Sequence, residues 1–572
     1  MLREGFIEFI DKQEENNDSF ICTTLKDFMR IVWIANHVHK DEDLSDLPFT
    51  HCEIHPILIL GICTSQIPFC SANQGPRNTF GANMSKQAIA AIYMNILVRM
   101  DTLQHSLSYN NRFLVKTQGL RFYYAEDASP SVQATGAFVA YYGKSVEDAF
   151  IVNAGAAQRG FGRSVQNSVV TLNEMKLNSM NQAACFRKSN RNTTLGMRTQ
   201  QYAHLDDDGF PHVGENLSTN HMMISRTRPL EEKSSTLKQY CMGQQTLKKN
   251  TGIVKQVMLT SDNKGQRKAR VQGSKLCRLV KSDKMSNRHA QKNIVAKLDA
   301  EEDCPRTSKG LIPMFCFNPH GVPSRMSIAH LMEVLGGRVA VAYGQLMDGT
   351  PLARDAYKVC MGVAQNDFEF LQKSGAAMGD TDLSKLDSDE SRIQAMANAL
   401  KIRGFKQQYG EEIFFNGITG QRMGSQGCNE RGAGLIFVGP IAMYKLAHLG
   451  PDKLHSRSTG LRHILTRQPV EGIKNNGGYR TGQMELWCLM GHGAAYLLRE
   501  LNFLVSDPFV THICLKCGYV CEPNMKDHFY YCKVCKSNEN TCQVPIAYSF
   551  ILLFKHCHAA GILPRYRGRK IR

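Results

Sequence analysis

The chain opens with the short alternating stretch Gly5–Ile10 and then the acidic run of residues 14–18. Residues 1–48 therefore read as the end of a β-rich domain. From 49 to 165, apolar runs are punctuated by glycine and proline. Ile57–Ile62 predicts a buried strand, and the periodicity of Met84–Val98 predicts a helix ending near Arg99. Residues 166–272 are rich in Asn, Thr and Gln and poor in long apolar runs, which predicts a loop-rich inserted module. Short strands and glycine turns return over 273–484, with helices expected near Ile328–Leu346 and Ser391–Ile402. Met484–Leu501 predicts a further helix, ahead of a cysteine-rich module and the basic tail Arg565–Arg572. No internal repeat interrupts this order.

At 572 residues the chain is long enough for several domains, each with its own core. It carries 69 Lys and Arg against 51 Asp and Glu, a net charge of +18. That excess suits a polyanionic partner. It is densest between 241 and 300, where fourteen basic residues face three Asp. A nucleic acid fits this density, and so does an acidic membrane surface, but no apolar run spans a bilayer: Val544–Phe554 is too short and ends at Lys555. The first residues meet charge too early for a secretory signal, so the reading is a soluble intracellular protein. Most of the 19 cysteines are scattered singly, as expected of reduced thiols.

Four cysteines are different. Cys514-x-x-Cys517 and Cys532-x-x-Cys535 form two knuckles, each able to present two thiolates to one ion. A closed four-sulfur shell leaves no open position, so the metal expected there is structural. Cys521 lacks a knuckle partner, and His512 and His528 are not needed as ligands. The other chemical signals are cationic. Arg77 lies in Asn73-Gln-Gly-Pro-Arg-Asn78, where Gly75 and Pro76 predict a turn that either aims the guanidinium at a phosphate or leaves it in water. Arg325 ends the stiff loop Asn318–Arg325 just before a helix, where it is either a triphosphate clamp or an exposed residue beside a cap. Lys284, Arg288 and Lys292 share one basic stretch. Glu147 and Asp148 are adjacent carboxylates, a possible contribution to a Mg²⁺ site or an ordinary solvated pair. Lys453, His455, Arg457, Arg462, Arg467 and Arg480 make a second basic strip among glycines that allow a nucleic-acid strand to come close. The tail is either another phosphate contact or a solubilising end.

Taken in order, Thr50–Pro56, Asn73–Asn78, Glu147-Asp148 with Arg159-Gly160, Ser286–Lys292, Asn318–Met326, Thr466–Gly472, His492–Ala495 and the four cysteines resemble a known family. It is the second-largest (β-type) subunit of multisubunit RNA polymerases, of the archaeal, eukaryotic and large-DNA-virus type, in its C-terminal portion. The resemblance runs from about residue 5 to the end.

It implies a multidomain α+β fold. Residues 1–48 would end an external-like β domain. A hybrid-binding domain built on a double-psi β-barrel would take 49–165 and 273–484, with a wall- or flap-like β-rich insertion at 166–272. An anchor helix would follow at 485–505, and a clamp-base zinc ribbon with the basic tail at 506–572. It implies DNA-templated RNA synthesis by two-metal nucleotidyl transfer. Lys284 and Lys292 would reach the RNA 3′ end and substrate phosphates, Arg77 and Arg325 the incoming triphosphate, and Glu147 and Asp148 the surroundings of the second Mg²⁺. Arg288 and the second basic strip would bind nucleic acid, and the four cysteines would hold structural Zn²⁺.

The family's Asp-x-Asp-Gly-Asp triad is absent, so Mg²⁺ would be shared with the largest subunit and the chain would be inactive alone. The N-terminal half of such a subunit is absent too. The resemblance therefore implies either a split subunit whose other half is a separate chain or a truncated gene product, working with small assembly subunits, DNA template, RNA and nucleoside triphosphates, and with no membrane. Asn293 stands where the family has Gly, Ser458-Thr459 replace Ala-Arg, and Gln483 replaces Glu. These departures point to a divergent lineage such as a virus. The alternative of another class is a non-catalytic zinc-ribbon nucleic-acid-binding protein derived from such a subunit.

Overall fold

Several of the short apolar runs become strands, and six strands close on one another. The computed structural model describes residues 10, 13, 22–24, 51–53, 56–90, 95–96, 98–122, 129–141, 143–174, 184–197, 200–230, 239–246, 250–351, 389–405, 407, 409–423, 434–524 and 529–567. Two compact units divide the chain, Met1–Asp452 and Lys453–Arg572. The expected strand at Gly5–Ile10 and the acidic turn after it lie outside the described residues, apart from Ile10.

In the first unit, β1 (Ser131–Phe138), β2 (Ala149–Asn153), β3 (Lys284–Ser286), β4 (Lys292–Asp299), β5 (Phe315–Phe317) and β6 (Leu435–Lys445) form the ring. Around it β1 pairs β6, β6 pairs β3, β3 pairs β4, β4 pairs β2, β2 pairs β5, and β5 returns to β1. The β4–β2 and β5–β1 pairs are parallel and the rest antiparallel. Closure leaves no open edge between these six. Phe138, Phe150, Phe315, Phe317, Met285, Ile441 and Met443 belong to the core cluster, with the Phe150 ring edge-on to Phe315 at 5.7 Å. Each such side chain contributes about 2 kcal/mol by leaving water.

The 166–272 module is richer in strands than its polar composition suggests. Ser164–Asn173, Gly252–Ser261 and Arg267–Cys277 are long strands in a five-stranded sheet. Its buried cluster is Val170, Leu217, Met223, Ile224, Val254 and Val271. Polar side chains are buried in this sheet too, among them Gln166, Asn167, Ser168 and Gln272, while Ile253 and Leu259 stay exposed.

Three helices frame the ring: α1 (Gly75–Ser85), α2 (Ile328–Tyr343) and α3 (Asp389–Ile402). The last two fall where periodicity predicts them. Helix α2 stops at Gly344, whose left-handed backbone (φ 69°) lets its N–H reach Ala340 O and Val341 O. Helix α2 approaches β6 so closely that a Cβ at Gly337 would lie 2.8 Å from Pro440 O.

Two expectations fail in this unit. Among the described residues of Met84–Val98, the helix does not continue past Ser85, and 91–94 and 97 lie outside the described residues. The helix begins at Gly75-Pro76, because proline's fixed φ and missing N–H suit a first turn, and it ends at Ser85. Beyond it Ala88 bridges Leu446 and Ile89 N–H donates to Lys445 O, so this stretch is tied to the ring. Ile57–Ile62 is not a buried strand either. Pro56–Ile59 is a 3₁₀ turn with Ile57 buried and Leu58, Ile59 and Ile62 exposed.

In the second unit the expected helix Met484–Leu501 is broken. Helix α4 (Gln483–Gly491) is followed by α5 (Ala495–Arg499), which runs into a wider π-type turn at Glu500–Leu504. Gly493, at φ 68°, makes the break. Between 453 and 506 the sole buried residue is Gly477. Strands Pro508–Cys514 and Thr541–Ala547 then pair antiparallel, and α6 (Tyr548–Ala559) follows.

Candidate active centre and metal site

The sequence puts Lys284 and Lys292 at the starts of β3 and β4, adjacent strands joined by the turn Asn287–Gln291. Both lysines are half-buried. Asn287 braces the turn: its Oδ1 accepts from His289 N–H (2.9 Å) and Gln291 N–H (3.0 Å). Asn293 continues β4 opposite Met285 with no left-handed backbone, so no glycine is required after Lys292.

Two further segments converge on this turn. The loop Asn318–Ser327 leads into α2 and carries Arg325. Gln291 Nε2 donates to Gly321 O (2.8 Å) and Ser327 Oγ (2.6 Å), and Gln291 Oε1 accepts from Arg325 Nη1 (2.9 Å). Arg325 Nη2 also donates to Asp148 Oδ1. Asp148 is held beside β4, since its carbonyl accepts from Ile294 N–H (2.9 Å). The second segment is the start of α1. Asn73 bridges Ser327, and Gln74 N–H donates to Met326 O (3.2 Å), which sets Arg77 on the first turn of α1 beside the Arg325 loop. Burial and then the neighbouring Arg325 charge depress the Arg77 guanidinium, with Asp148 opposing. Arg325 is paired with Asp148 while Arg77 stands close enough to feel both charges, and with Lys284 and Lys292 on the adjoining hairpin these cations outnumber Glu147 and Asp148, leaving surplus positive charge toward an anion.

Glu147 is exposed and Asp148 partly so. With Arg325 on Asp148 Oδ1, the pair offers part of a cation shell and not a whole one. Among the described residues the one group of convergent metal-ligating side chains is the cysteine cluster.

Arg288 departs from expectation. It is 1 % exposed, so it does not face a nucleic acid. Its Nη2 donates to Glu333 Oε1 (2.6 Å) and Val115 O (2.8 Å), and its guanidinium lies 4.2 Å from the Phe113 ring centre. Glu333 Oε2 meets His289 Nε2 at 2.6 Å, and His289 Nδ1 meets Asn73 Nδ2 at 3.1 Å. Burial lowers the pKa of His289, with Glu333 opposing. The neutral ring then donates from Nε2 to Glu333 and accepts at Nδ1 from Asn73, one tautomer serving both partners. Burial alone would raise Glu333, but Arg288 and His289 outweigh it and hold it down to about 2. Asn73 Oδ1 accepts from Ala329 N–H (3.2 Å), so this chain of contacts joins the hairpin, α2 and the approach to α1.

Sequence reasoning missed Glu333, Asn73 and Gln291 as organisers. Glu333 had one signal, a lone acid in the apolar stretch of α2; Asn73 and Gln291 are uncharged positions inside cationic motifs.

In the second unit the basic strip divides. His455 Nε2 contacts Gly477 O (2.6 Å), and Arg457 donates to Asn476 O (2.6 Å) and Leu461 O (2.9 Å), so both tie the loop 455–477 together. Arg467 is exposed but lies over the Tyr548 ring at 4.0 Å. Lys453 and Arg480 are exposed.

The four cysteine sulfurs lie within 4.8 Å of one another. Cys514–Cys535 and Cys517–Cys532 are 3.8 Å and 3.4 Å apart. A tetrahedron with bonds of about 2.3 Å has edges of about 3.8 Å, so the four suit a tetrahedral thiolate-bound ion. Cys535 N–H points at Cys532 Sγ (3.5 Å), the donation a thiolate accepts. Cys521 is buried alongside but outside the set, and His512 stacks on Tyr530 at 3.8 Å.

The family model described as RNA polymerase Rpb2, domain 6 matches residues 63–475. Those described as domain 7 and domain 5 match 477–568 and 1–56. DNA-directed RNA polymerase II subunit 2 of Arabidopsis thaliana is 34% identical over 572 residues, which cover 99% of this chain and 43% of that protein. DNA-directed RNA polymerase II subunit RPB2 of Encephalitozoon cuniculi is 34% identical, covering 99% of this chain and 45% of its own length. DNA-directed RNA polymerase III subunit RPC2 of Saccharomyces cerevisiae is 30% identical, with 99% and 44% covered. The chain spans less than half the length of these relatives.

Proposed function

This chain belongs to the Rpb2 family of RNA polymerase subunits, and from that premise we propose that it supplies the phosphate-binding side of the centre for DNA-templated RNA synthesis. The observation that carries this reading is the convergence of Arg77 and Arg325 beside the Asp148 carboxylate, from separate segments joined by the Asn73–Ser327 bridge and the Gln74 N–H to Met326 O bond. An incoming triphosphate would neutralise that surplus. Fixed guanidiniums would stabilise charge as it develops on the transferring phosphate without moving to do so. Lys284 and Lys292 would hold the RNA end and its phosphates from the adjoining hairpin.

Magnesium would supply the two-metal chemistry. Asp148 and Glu147 offer a partial shell, so a partner chain, the largest subunit, would hold most of it. The closed six-strand ring supports a double-psi barrel in this role. The four-cysteine tetrahedron supports structural zinc. The apolar side chains left exposed along α4 and α5, among them Trp487 and Tyr496, support a protein partner on that stretch.

In purified native complex containing this chain, template-dependent RNA synthesis is expected, with Arg325→Ala raising the KM for nucleoside triphosphates at least tenfold. A complex that lacks a largest-subunit homologue and makes no RNA would overturn the proposal in favour of a nucleic-acid-binding factor.

A further inference from the structure

We infer that Gln291 is a positioning residue for Arg325, locking the hairpin of Lys284 and Lys292 to the loop that presents the triphosphate contact. This rests on the function proposed above. The Gln291 side chain is buried, 3 % exposed, and its amide is used at both ends. Nε2 spans the loop from Gly321 O (2.8 Å) to Ser327 Oγ (2.6 Å), while Oε1 receives Arg325 Nη1 (2.9 Å). The orientation is fixed by chemistry: a flipped amide would set NH₂ against the guanidinium and a carbonyl against Gly321 O. The fit is close. A Cβ at Gly321 would sit 3.2 Å from Arg325 Nη1 and 3.5 Å from Gln291 Oε1. Met326, next to Arg325, adopts a left-handed backbone (φ 48°), a conformation that the contacts around it must hold.

The two holders of Arg325 differ in kind. Asp148 is charged and 45% exposed, on the side an anion or cation reaches, so a bound triphosphate competes with it. Gln291 is neutral and buried, and its bond survives when a phosphate takes the opposite face of the guanidinium. A neutral acceptor aims the arginine without cancelling the charge that the phosphate must see.

The test is a double-mutant cycle in the assembled polymerase. Gln291→Met, close in shape but without polar atoms, should raise the KM for all four nucleoside triphosphates about tenfold or more, with a smaller change in kcat. In an Arg325→Ala background it should add almost nothing, because the residue it positions is gone. Gln291→Glu keeps the length and an acceptor but neutralises Arg325. It should also raise KM, and again not in the Arg325→Ala background. If Arg325→Ala raises KM and neither Gln291 variant does, or if their effects add in full, the inference fails while the proposed function stands. If Arg325→Ala leaves KM unchanged, the proposed function itself fails. Failure of both Gln291 variants to assemble, where Arg325→Ala assembles, would assign Gln291 to folding alone and overturn the inference.

Discussion

Replacing Glu333 by Gln removes one negative charge from a site that water does not reach. The carboxylate is 2 % exposed and lies 2.6 Å from both Arg288 Nη2 and His289 Nε2. Its pKa falls from 4.5 to about 2 on folding, which corresponds to about 3 kcal/mol of stability at neutral pH. The folded value is the depressed one. That stability is therefore fully present above about pH 4.5 and is lost as pH falls toward 2. Removing one member of a buried ion pair by mutation costs about 3–5 kcal/mol, because the partner charge stays behind. Arg288 would keep Val115 O and the Phe113 ring, and neither carries a counter-charge. The Gln amide would also present a donor to either Arg288 or His289, disturbing the tautomer that Asn73 reads. Amide hydrogen exchange of the assembled complex at pH 7 is the assay. Protection in 284–299 and the first turns of α2 should drop by on the order of 100-fold. Glu301→Gln, which breaks the exposed Arg159–Glu301 pair, should change protection nearby by a few-fold at most. If Glu333→Gln leaves protection in the hairpin unchanged, the buried pair does not hold the centre together and the reasoning is refuted.

Further outcomes are expected. His330 is buried between Phe138 and Phe317 with neither ring nitrogen bonded, and burial first, then His289, lower it to about 3. It is neutral when folded, so its contribution holds above about pH 6.5 and weakens as pH falls. His330→Leu should raise thermal stability by about 1–3 kcal/mol, and more at pH 5 than at pH 8, by scanning calorimetry. Metal analysis should find one zinc per chain. Cys532→Ser should lower that to a substoichiometric level and expose 507–567 to protease, whereas Cys521→Ser should keep the metal. Arg288→Met should cut protection of the hairpin about as strongly as Glu333→Gln, while leaving the salt slope of nucleic-acid binding unchanged, because Arg288 touches no phosphate.

What could be read before folding, and what could not, follows from the range of the forces involved. Helices α2 and α3 were legible because periodicity and a glycine stop are local. The four-cysteine set was legible because knuckle spacing is local too. The helix expected at Met84–Val98 failed because Ala88 and Ile89 are drawn to β6, hundreds of residues away, and an apolar pattern cannot say which neighbour it will meet. Arg77 and Arg325 are legible individually in their stiff motifs, while the carboxylate and the amide that hold Arg325, Asp148 and Gln291, belong to a third and a fourth stretch. The inward turn of Arg288 is hidden in the sequence for a related reason. Within a basic run nothing distinguishes the one cation that will turn inward, because its counter-charge is a single acid on α2.

The stretch from Lys453 to Ser506, with Gly477 as its one buried residue, bears on the life of the chain before assembly. Ile464 is 97% exposed, Tyr496 89% and Met484 76%. Such a surface is an invitation to chaperones and degradative enzymes until something apolar covers it. If the partner chain proposed above covers it, a cell making more of this polypeptide than of that partner would lose the excess quickly, and turnover of the orphan, without any matching of synthesis, would set the ratio of the two.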